Sequence, residues 1–175
     1  MFHYLGVLKP RSFPPRLQDE LAELRADGKV RAIAISCRDR NFAADLAADL
    51  AARGVLDVLM IRYNAAHPGA ETDVFPYVHA HQTGVVGYTA TRWSYLLRRP
   101  KGWKQNEPVA TAGQCYRFVL SNPNVHVVLT APRNERELAE NLHEVERGPL
   151  PEDEMAFMRR FGACVHAHAP LFVGN

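Results

Sequence analysis

Three short apolar runs constrain the fold more than any other feature of the sequence. AIAIS, VLMI and VHVVL are rich in aliphatic and β-branched residues, and polar residues do not alternate through them. Such strands are typical of parallel sheets that are buried on both faces. Helical patterns stand between the runs, so strand and helix alternate along the chain. The sequence therefore predicts an α/β protein with parallel strands and right-handed crossovers.

The alternation leaves two architectures open, an open doubly wound sheet or part of a (β/α)8 barrel. The G-x-G-x-x-G pattern that a dinucleotide-binding fold would place after its first strand is absent from LGVLKP. A complete barrel needs about 250 residues, so this chain is short of one by roughly three strands. The predicted strands are Phe2–Leu8, Val30–Ser36, Val55–Tyr63, Val85–Ala90 and Val125–Thr130. The predicted helices are Pro15–Lys29, Arg40–Gly54, Glu71–Gly84, Pro108–Pro123, Asn134–Gly148 and Pro151–His168.

Composition excludes several classes of protein. A chain of 175 residues with 47% hydrophobic residues suits one domain, and a net charge of +2 gives no basic footprint for nucleic acid. No run of about 18 apolar residues is present, and MFHYLGVLKP lacks the basic start of a signal peptide, so we expect no membrane partner. The three separated cysteines, Cys37, Cys115 and Cys164, predict no disulfide framework and fit a reducing cytosol.

Five segments resemble, in order, the C-terminal half of the aldo-keto reductases. They are GKVRAIAISCRDRNF, DVLMIRYNAAHPGAE, GVVGYTATRW, CYRFVLSNPNVHVVLTAPRNERELAENL and LPEDEMAFMRRFG, between Gly28 and Gly162. That family comprises NADP(H)-dependent oxidoreductases on a (β/α)8 barrel. The resemblance implies a single truncated domain over residues 1–175, a partial TIM barrel from about the fourth strand to the C-terminal helix. The five predicted strands then become the fourth to the eighth.

The resemblance implies a nicotinamide site at the carboxyl ends of the strands. Ser36 matches the serine of the Ser-Asn pair that holds the nicotinamide amide. Cys37 stands where asparagine is usual and Met60 where glutamine is usual, and neither side chain replaces an amide well. We therefore expect weak or absent binding of NADP by the isolated chain. Tyr88 matches the aromatic residue that stacks on the ring.

Tyr63 and Asn64 end the VLMIRY strand just before a Pro-Gly turn. By the resemblance they lie on the rim of the active-site face. Packing of the strand end and a hydrogen bond within the turn would explain them equally well.

The resemblance also implies a phosphate site. Arg92 begins a stretch, residues 92–104, with five basic residues and no acid, which in the family crosses the pyrophosphate; a solvated loop has the same composition. Arg133 matches the 2′-phosphate contact, and Glu140 and Asn141 match residues that reach the adenine. Asn134 lies at a helix N-terminus, where free amides suit a phosphate. Asn134 also suits a helix cap, with Glu137 in a capping-box position.

No catalytic residue can be carried over from the family. Its aspartate, tyrosine and lysine come from the first three strand regions, which the matched segments do not include, and Leu5 occupies the position of its histidine. CVHAH places Cys164, His166 and His168 close together, but helical residues two apart point in different directions, so we predict no metal site.

Two functions follow from the resemblance. The chain is an NADP(H)-dependent carbonyl oxidoreductase that is inactive as an isolated half barrel, or it is a non-catalytic binding or structural protein. In both cases open sheet edges and an uncovered inner face favour pairing. We therefore expect a homo-oligomer or a complementary half-barrel chain as partner.

Overall fold

The computed structural model describes residues 15–51 and 53–168, and strand and helix alternate there as predicted. The predicted strand Phe2–Leu8 lies outside the described residues. The strands are β1 (Ala34–Cys37), β2 (Val58–Arg62), β3 (Gly84–Tyr88) and β4 (Val127–Val128). The helices are α1 (Pro15–Ala26), α2 (Arg40–Leu46), α3 (Ala70–Asp73), α4 (Phe75–Ala80), α5 (Ala112–Leu120), α6 (Glu135–Glu146) and α7 (Glu152–His168), with a π-helical turn at Ala47–Ala51 and a 3-10 turn at Tyr95–Leu97.

The four strands form one parallel sheet in the order β1-β2-β3-β4, which confirms the predicted α/β class. β1 and β2 pair with Ala34 opposite Val58 and Ser36 opposite Met60. Each of these strands is shorter than its predicted range, and β4 keeps only two residues of the predicted Val125–Thr130. In residues 15–51 and 53–168, every helix is too short or too polar to cross a membrane.

The described chain divides into two compact units. The first contains residues 15–61 and Gly69–Val86, and the second contains Arg62–Pro68 and residues 87–168. The single domain over residues 1–175 stays a prediction.

In the first unit, helices cover a sheet face formed by apolar side chains. Phe42, Leu46 and Leu50 are all buried, as their spacing of four residues predicts. In the sequence, Gly28 stands where a C-terminal cap of α1 is expected. The structure confirms it, because Gly28 has a φ of 69° and its amide donates to the Arg25 carbonyl at 3.0 Å.

In the second unit, aromatic side chains fill the core. Tyr63, Phe118 and Phe161 are at most 1% exposed, and the rings of Tyr63 and Phe118 lie 5.7 Å apart. A capping box starts α5, because the Thr111 hydroxyl accepts from the Gln114 amide while the Gln114 side chain accepts from the Thr111 amide.

The single helix predicted over Glu71–Gly84 is wrong. The structure has two short helices, α3 and α4, separated at Val74, whose φ of −122° and ψ of −49° leave the helical region. Pro76 explains the break, because proline lacks the amide that a continuous helix would use and is tolerated only in a first turn.

The spacing of Leu138, Leu142 and Val145 predicts an apolar stripe on α6, and the structure places this stripe at the surface. Leu138 is 41% exposed and Leu142 is 55% exposed, and no residue of α6 is classed as buried. On β4 and just beyond it, Val127 and Leu129 are also close to half exposed. We call these four side chains the β4–α6 patch.

Candidate functional site

Two of the predicted nicotinamide contacts lie side by side in the first unit. Ser36 and Met60 are register partners on β1 and β2. Ser36 is fully buried, and its Oγ has no hydrogen-bond partner within the described residues. A buried hydroxyl without a partner is rare, because its lost hydration is then uncompensated. The Ser36 hydroxyl therefore fits a hydrogen-bonding ligand such as a carboxamide, whereas the Met60 thioether is only a weak acceptor.

Cys37 does not reproduce the contact of the asparagine that the family has at its position. Its side chain is fully buried, and Sγ lies 3.3 Å from the Asp39 carbonyl oxygen, to which it donates. Asp39 is itself the N-cap of α2, because its carboxylate accepts from the Phe42 amide at 2.9 Å. Cys37 therefore serves the start of α2 and offers no amide chemistry to a cofactor.

At the end of β2, in the second unit, Asn64 holds the turn that follows Tyr63. Its Oδ1 accepts from the Ala66 and His67 amides, both at 3.0 Å, and its Nδ2 donates to the Thr89 carbonyl at 2.9 Å. Asn64 is fully buried and Tyr63 is 1% exposed. These contacts support the structural interpretation of both residues.

Tyr88 and Arg92 lie at the carboxyl end of β3 with little exposed surface. Tyr88 is 8% exposed, which leaves little ring face for stacking. Arg92 is 3% exposed, and its Nη1 donates to the Val165 carbonyl at 2.8 Å. Its Nε has no hydrogen-bond partner in the described part of the chain. Burial, and then the neighbouring positive charge of Arg62, lower the pKa of Arg92.

The backbone that carries Arg92 is unusual. Arg92, Trp93 and Ser94 have φ values of 49°, 51° and 68°, so three consecutive non-glycine residues are left-handed. Such residues each cost about 1–2 kcal/mol and concentrate at sites of function. The composition of this segment, without glycine, gave no indication of the turn.

The start of α6 brings the predicted adenosine-phosphate residues together. Asn134 is the N-cap, and its Oδ1 accepts from the Glu137 amide at 2.9 Å, as predicted. Glu137 accepts from the Arg133 amide and from its guanidinium, with Nε–Oε1 and Nη2–Oε1 distances of 2.9 and 2.5 Å. This hydrogen-bonded pair raises the pKa of Arg133 and lowers that of Glu137.

The other two predicted adenine contacts are also engaged within the second unit. Glu140 accepts from Arg136 Nε at 2.8 Å. Asn141 Nδ2 donates to the Thr130 hydroxyl at 3.0 Å, and that hydroxyl donates to Tyr116 Oη at 2.9 Å. Sequence reasoning missed Thr130 and Tyr116, although a threonine at the end of a predicted strand next to a candidate site could have indicated the first.

In the second unit, the groups on and before α6 suit the adenosine end of NADP(H). Arg133, beside the helix N-terminus that favours anions, offers a guanidinium for a 2′-phosphate, and Asn141, further along the helix, offers an amide for the adenine. At the nicotinamide end, Ser36 fits while Cys37 and Met60 do not.

The parallel sheet and its helices are similar to part of a (β/α)8 barrel in several solved structures. Among solved structures, the chain is similar to the apo form of aldo-keto reductase AKR11C1 from Bacillus halodurans, with a TM-score of 0.69, 18% identity and coverage of 91% of this chain and 59% of that one. It is also similar to an aldo-keto reductase from Klebsiella pneumoniae in complex with NADPH, with a TM-score of 0.64, 19% identity and coverage of 83% and 52%. No protein-family model and no curated protein matches the sequence.

The chain therefore has a partial aldo-keto reductase fold, of the TIM-barrel type, which confirms the resemblance at the level of the fold. It spans between half and three fifths of the length of the solved structures it matches.

Proposed function

We propose that the chain provides the NADP(H)-binding side of a carbonyl oxidoreductase of the aldo-keto reductase type. NADPH would supply the hydride. Residues of the second unit would bind and orient the cofactor, Arg133 through its 2′-phosphate and Asn141 through its adenine. We further propose that the isolated chain does not reduce carbonyls, because the segments that match the family do not include its catalytic aspartate, tyrosine and lysine.

One observation carries this proposal. The Arg133 guanidinium lies beside the N-terminus of α6, whose dipole favours a phosphate, yet Glu137 occupies that guanidinium. A 2′-phosphate must displace that carboxylate and meets its negative charge. Together with the poor nicotinamide contacts of Cys37 and Met60, this predicts weak binding of NADPH.

The replacement Glu137→Gln is expected to tighten NADPH binding several-fold, because it frees Arg133 and removes a negative charge next to the phosphate. The wild-type dissociation constant should be weaker than about 1 µM, which corresponds to about −8 kcal/mol. Quenching of protein fluorescence and NADPH emission measure both values. NADH, which lacks the 2′-phosphate, should show no gain with this variant.

Glu146→Gln is the matched control, because it makes the same charge change in the last turn of α6. It should leave NADPH affinity unchanged. Submicromolar binding by the wild type, no detectable binding at all, or an equal gain with NADH would each contradict the proposal.

The alternative function, assembly through the open sheet, is favoured by the β4–α6 patch. β4 pairs only with β3 among the described strands, so one of its edges offers unpaired backbone groups beside half-exposed apolar side chains. Burying a few hundred Å² at about 25 cal/mol per Å² would give several kcal/mol toward association. We propose a second copy of this chain as the partner, with a complementary half-barrel chain as the other outcome.

Light scattering on the purified protein at micromolar concentration is expected to give a dimer or a larger oligomer. Leu142→Lys, which places a charge in the most exposed part of the patch, should weaken association by tenfold or more. Leu24→Lys is the control, because Leu24 is a half-exposed helical leucine of α1, outside the patch. A wild-type monomer that acquires mass only when another chain is added would favour the half-barrel partner, and a monomer under all conditions would contradict assembly.

A further inference from the structure

A cavity of about 490 Å³ lies between α7 and the basic loop that follows β3. None of the proposed cofactor residues contributes to it. It is lined by Gly102, Trp103, Lys104, Glu107, Arg160 and Cys164, all within the second unit.

The spacing of residues along α7 places three reactive or charged groups on one face. Arg160, Cys164 and His168 are separated by four residues each, so they are neighbours on the helix surface. His168, four residues after Cys164, lies on the same face of α7, whereas His166, two residues after it, points in a different direction.

Trp103 provides a fixed wall for the cavity. Its ring packs edge-on against Phe161 with centroids 5.0 Å apart, and its Nε1 donates to the Pro108 carbonyl at 2.9 Å. The Arg160 guanidinium lies over the same ring, 5.4 Å from its centroid. The wall therefore combines an aromatic surface with a held cation.

Cys164 lies beside an imidazole whose orientation is fixed. His168 Nδ1 is 3.0 Å from the Cys164 carbonyl oxygen, to which it donates, and 3.8 Å from Cys164 Sγ. The Sγ is 3.6 Å from the Lys101 carbonyl oxygen. The imidazole and the Lys101 carbonyl therefore both lie within hydrogen-bonding distance of the Cys164 sulfur, which is the nucleophile in thiol–disulfide exchange.

The other two cysteines of the chain offer a contrast. Cys37 and Cys115 are 0% and 1% exposed, and burial raises the pKa of Cys115 to about 12. Cys164 alone of the three is partly exposed. Reaction with a dissolved reagent is therefore restricted to the thiol in the cavity.

The charges around the cavity favour an anion. Glu107 is the one carboxylate in the lining, and it faces Arg160 at 2.7 Å and Lys104 at 3.8 Å, so the lining carries a net positive charge. Lys101, next to Gly102 in the same loop, adds a further cation.

From this cluster we propose that the cavity binds small anionic disulfides and that Cys164 exchanges with them. The Cys164 thiolate attacks one sulfur of the bound disulfide, a new S–S bond forms, and the old S–S bond breaks. The departing thiolate takes up the proton that Cys164 released. Cys164 is oxidised to a mixed disulfide and the departing sulfur is reduced, so no other oxidant is needed.

The test is intact-mass kinetics on the full chain with two probes, glutathione disulfide, which is anionic, and hydroxyethyl disulfide, which is neutral. Cys164 is expected to take one adduct. The ratio of its rate with glutathione disulfide to its rate with hydroxyethyl disulfide should be several-fold larger in the folded protein than in the urea-unfolded chain. Cys164→Ser should take none.

Two further variants separate the roles of the neighbours. Lys104→Gln should bring the ratio of the two rates toward that of the unfolded chain, without changing the rate with hydroxyethyl disulfide. His168→Gln should slow both reactions. The proposal would be overturned if this ratio of rates were the same in the folded and the unfolded protein, or if Cys37 or Cys115 of the folded protein took adducts.

Discussion

Replacement of Gly162 by alanine is expected to destabilise the protein by about 3 kcal/mol or more. Gly162 is buried in α7, and a Cβ there would lie 2.1 Å from the carbonyl oxygen of Ala65 and 2.3 Å from its carbonyl carbon. Both are backbone atoms, so no rotation of a side chain relieves the contact. The turn that Asn64 holds and α7 would have to separate, although alanine itself favours a helix by about 1 kcal/mol.

Gly69→Ala is the control, because the three atoms nearest to a Cβ at Gly69 all belong to the guanidinium group of Arg40. That group is the far end of a flexible side chain that is 50% exposed. It can rotate away, so the change in the free energy of unfolding should stay below about 1 kcal/mol. Urea unfolding of both variants measures the difference, and equal losses would show that backbone contact at Ala65 does not limit this position.

This contact shows where sequence reasoning about the VLMIRYNAAHPG segment had to stop. The sequence indicated a strand followed by a turn, because an apolar run and a Pro-Gly pair are local features. Whether Asn64 serves the turn or a ligand depends on the Thr89 carbonyl, which lies 25 residues away. A distant partner of this kind has no periodicity by which it could be predicted.

Local rules predicted two helix caps correctly, but they predicted the burial of helix faces less well. Asn134 caps α6 and Gly28 ends α1 as expected, since a cap needs only its own first or last turn. The stripe of Leu138 and Leu142 was also read correctly as a pattern. A pattern does not state what covers it, and in the described residues these two leucines stay half exposed.

For the candidate site, the resemblance predicted which residues take part, but not whether their side chains are buried or already hydrogen-bonded. It identified Arg133, yet the bond to Glu137 that occupies its guanidinium is a property of the folded helix. It identified Arg92 as a basic loop residue, whereas the structure buries that side chain beneath a left-handed turn. Charge is visible in a sequence, but burial and hydrogen-bond occupancy are not.

Arg117 is the residue with the second largest expected effect on stability. It lies on α5 with a side chain that is 3% exposed, and it donates from Nε to the Gly148 carbonyl at 2.9 Å and from Nη2 to the Pro149 carbonyl at 3.0 Å. Its Nη1 is 3.6 Å from Glu154 Oε2. Arg117 thus fixes the segment between α6 and α7 against α5.

Arg117→Met is expected to lower the free energy of unfolding by about 3–5 kcal/mol, because two carbonyls lose charged donors and a partly buried carboxylate loses a cation. Arg117→Lys should recover part of the loss, since it keeps the charge but not the two-pronged geometry. Arg136→Met is the control, because Arg136 is 85% exposed and its pair with Glu140 lies on the surface of α6; it should leave stability unchanged. Urea unfolding gives the three values. If Arg117→Met lowered stability no more than Arg136→Met, the hydrogen bonds of Arg117 would not contribute to stability. The segment around Gly148 would then be held by apolar contacts, including those of Leu150.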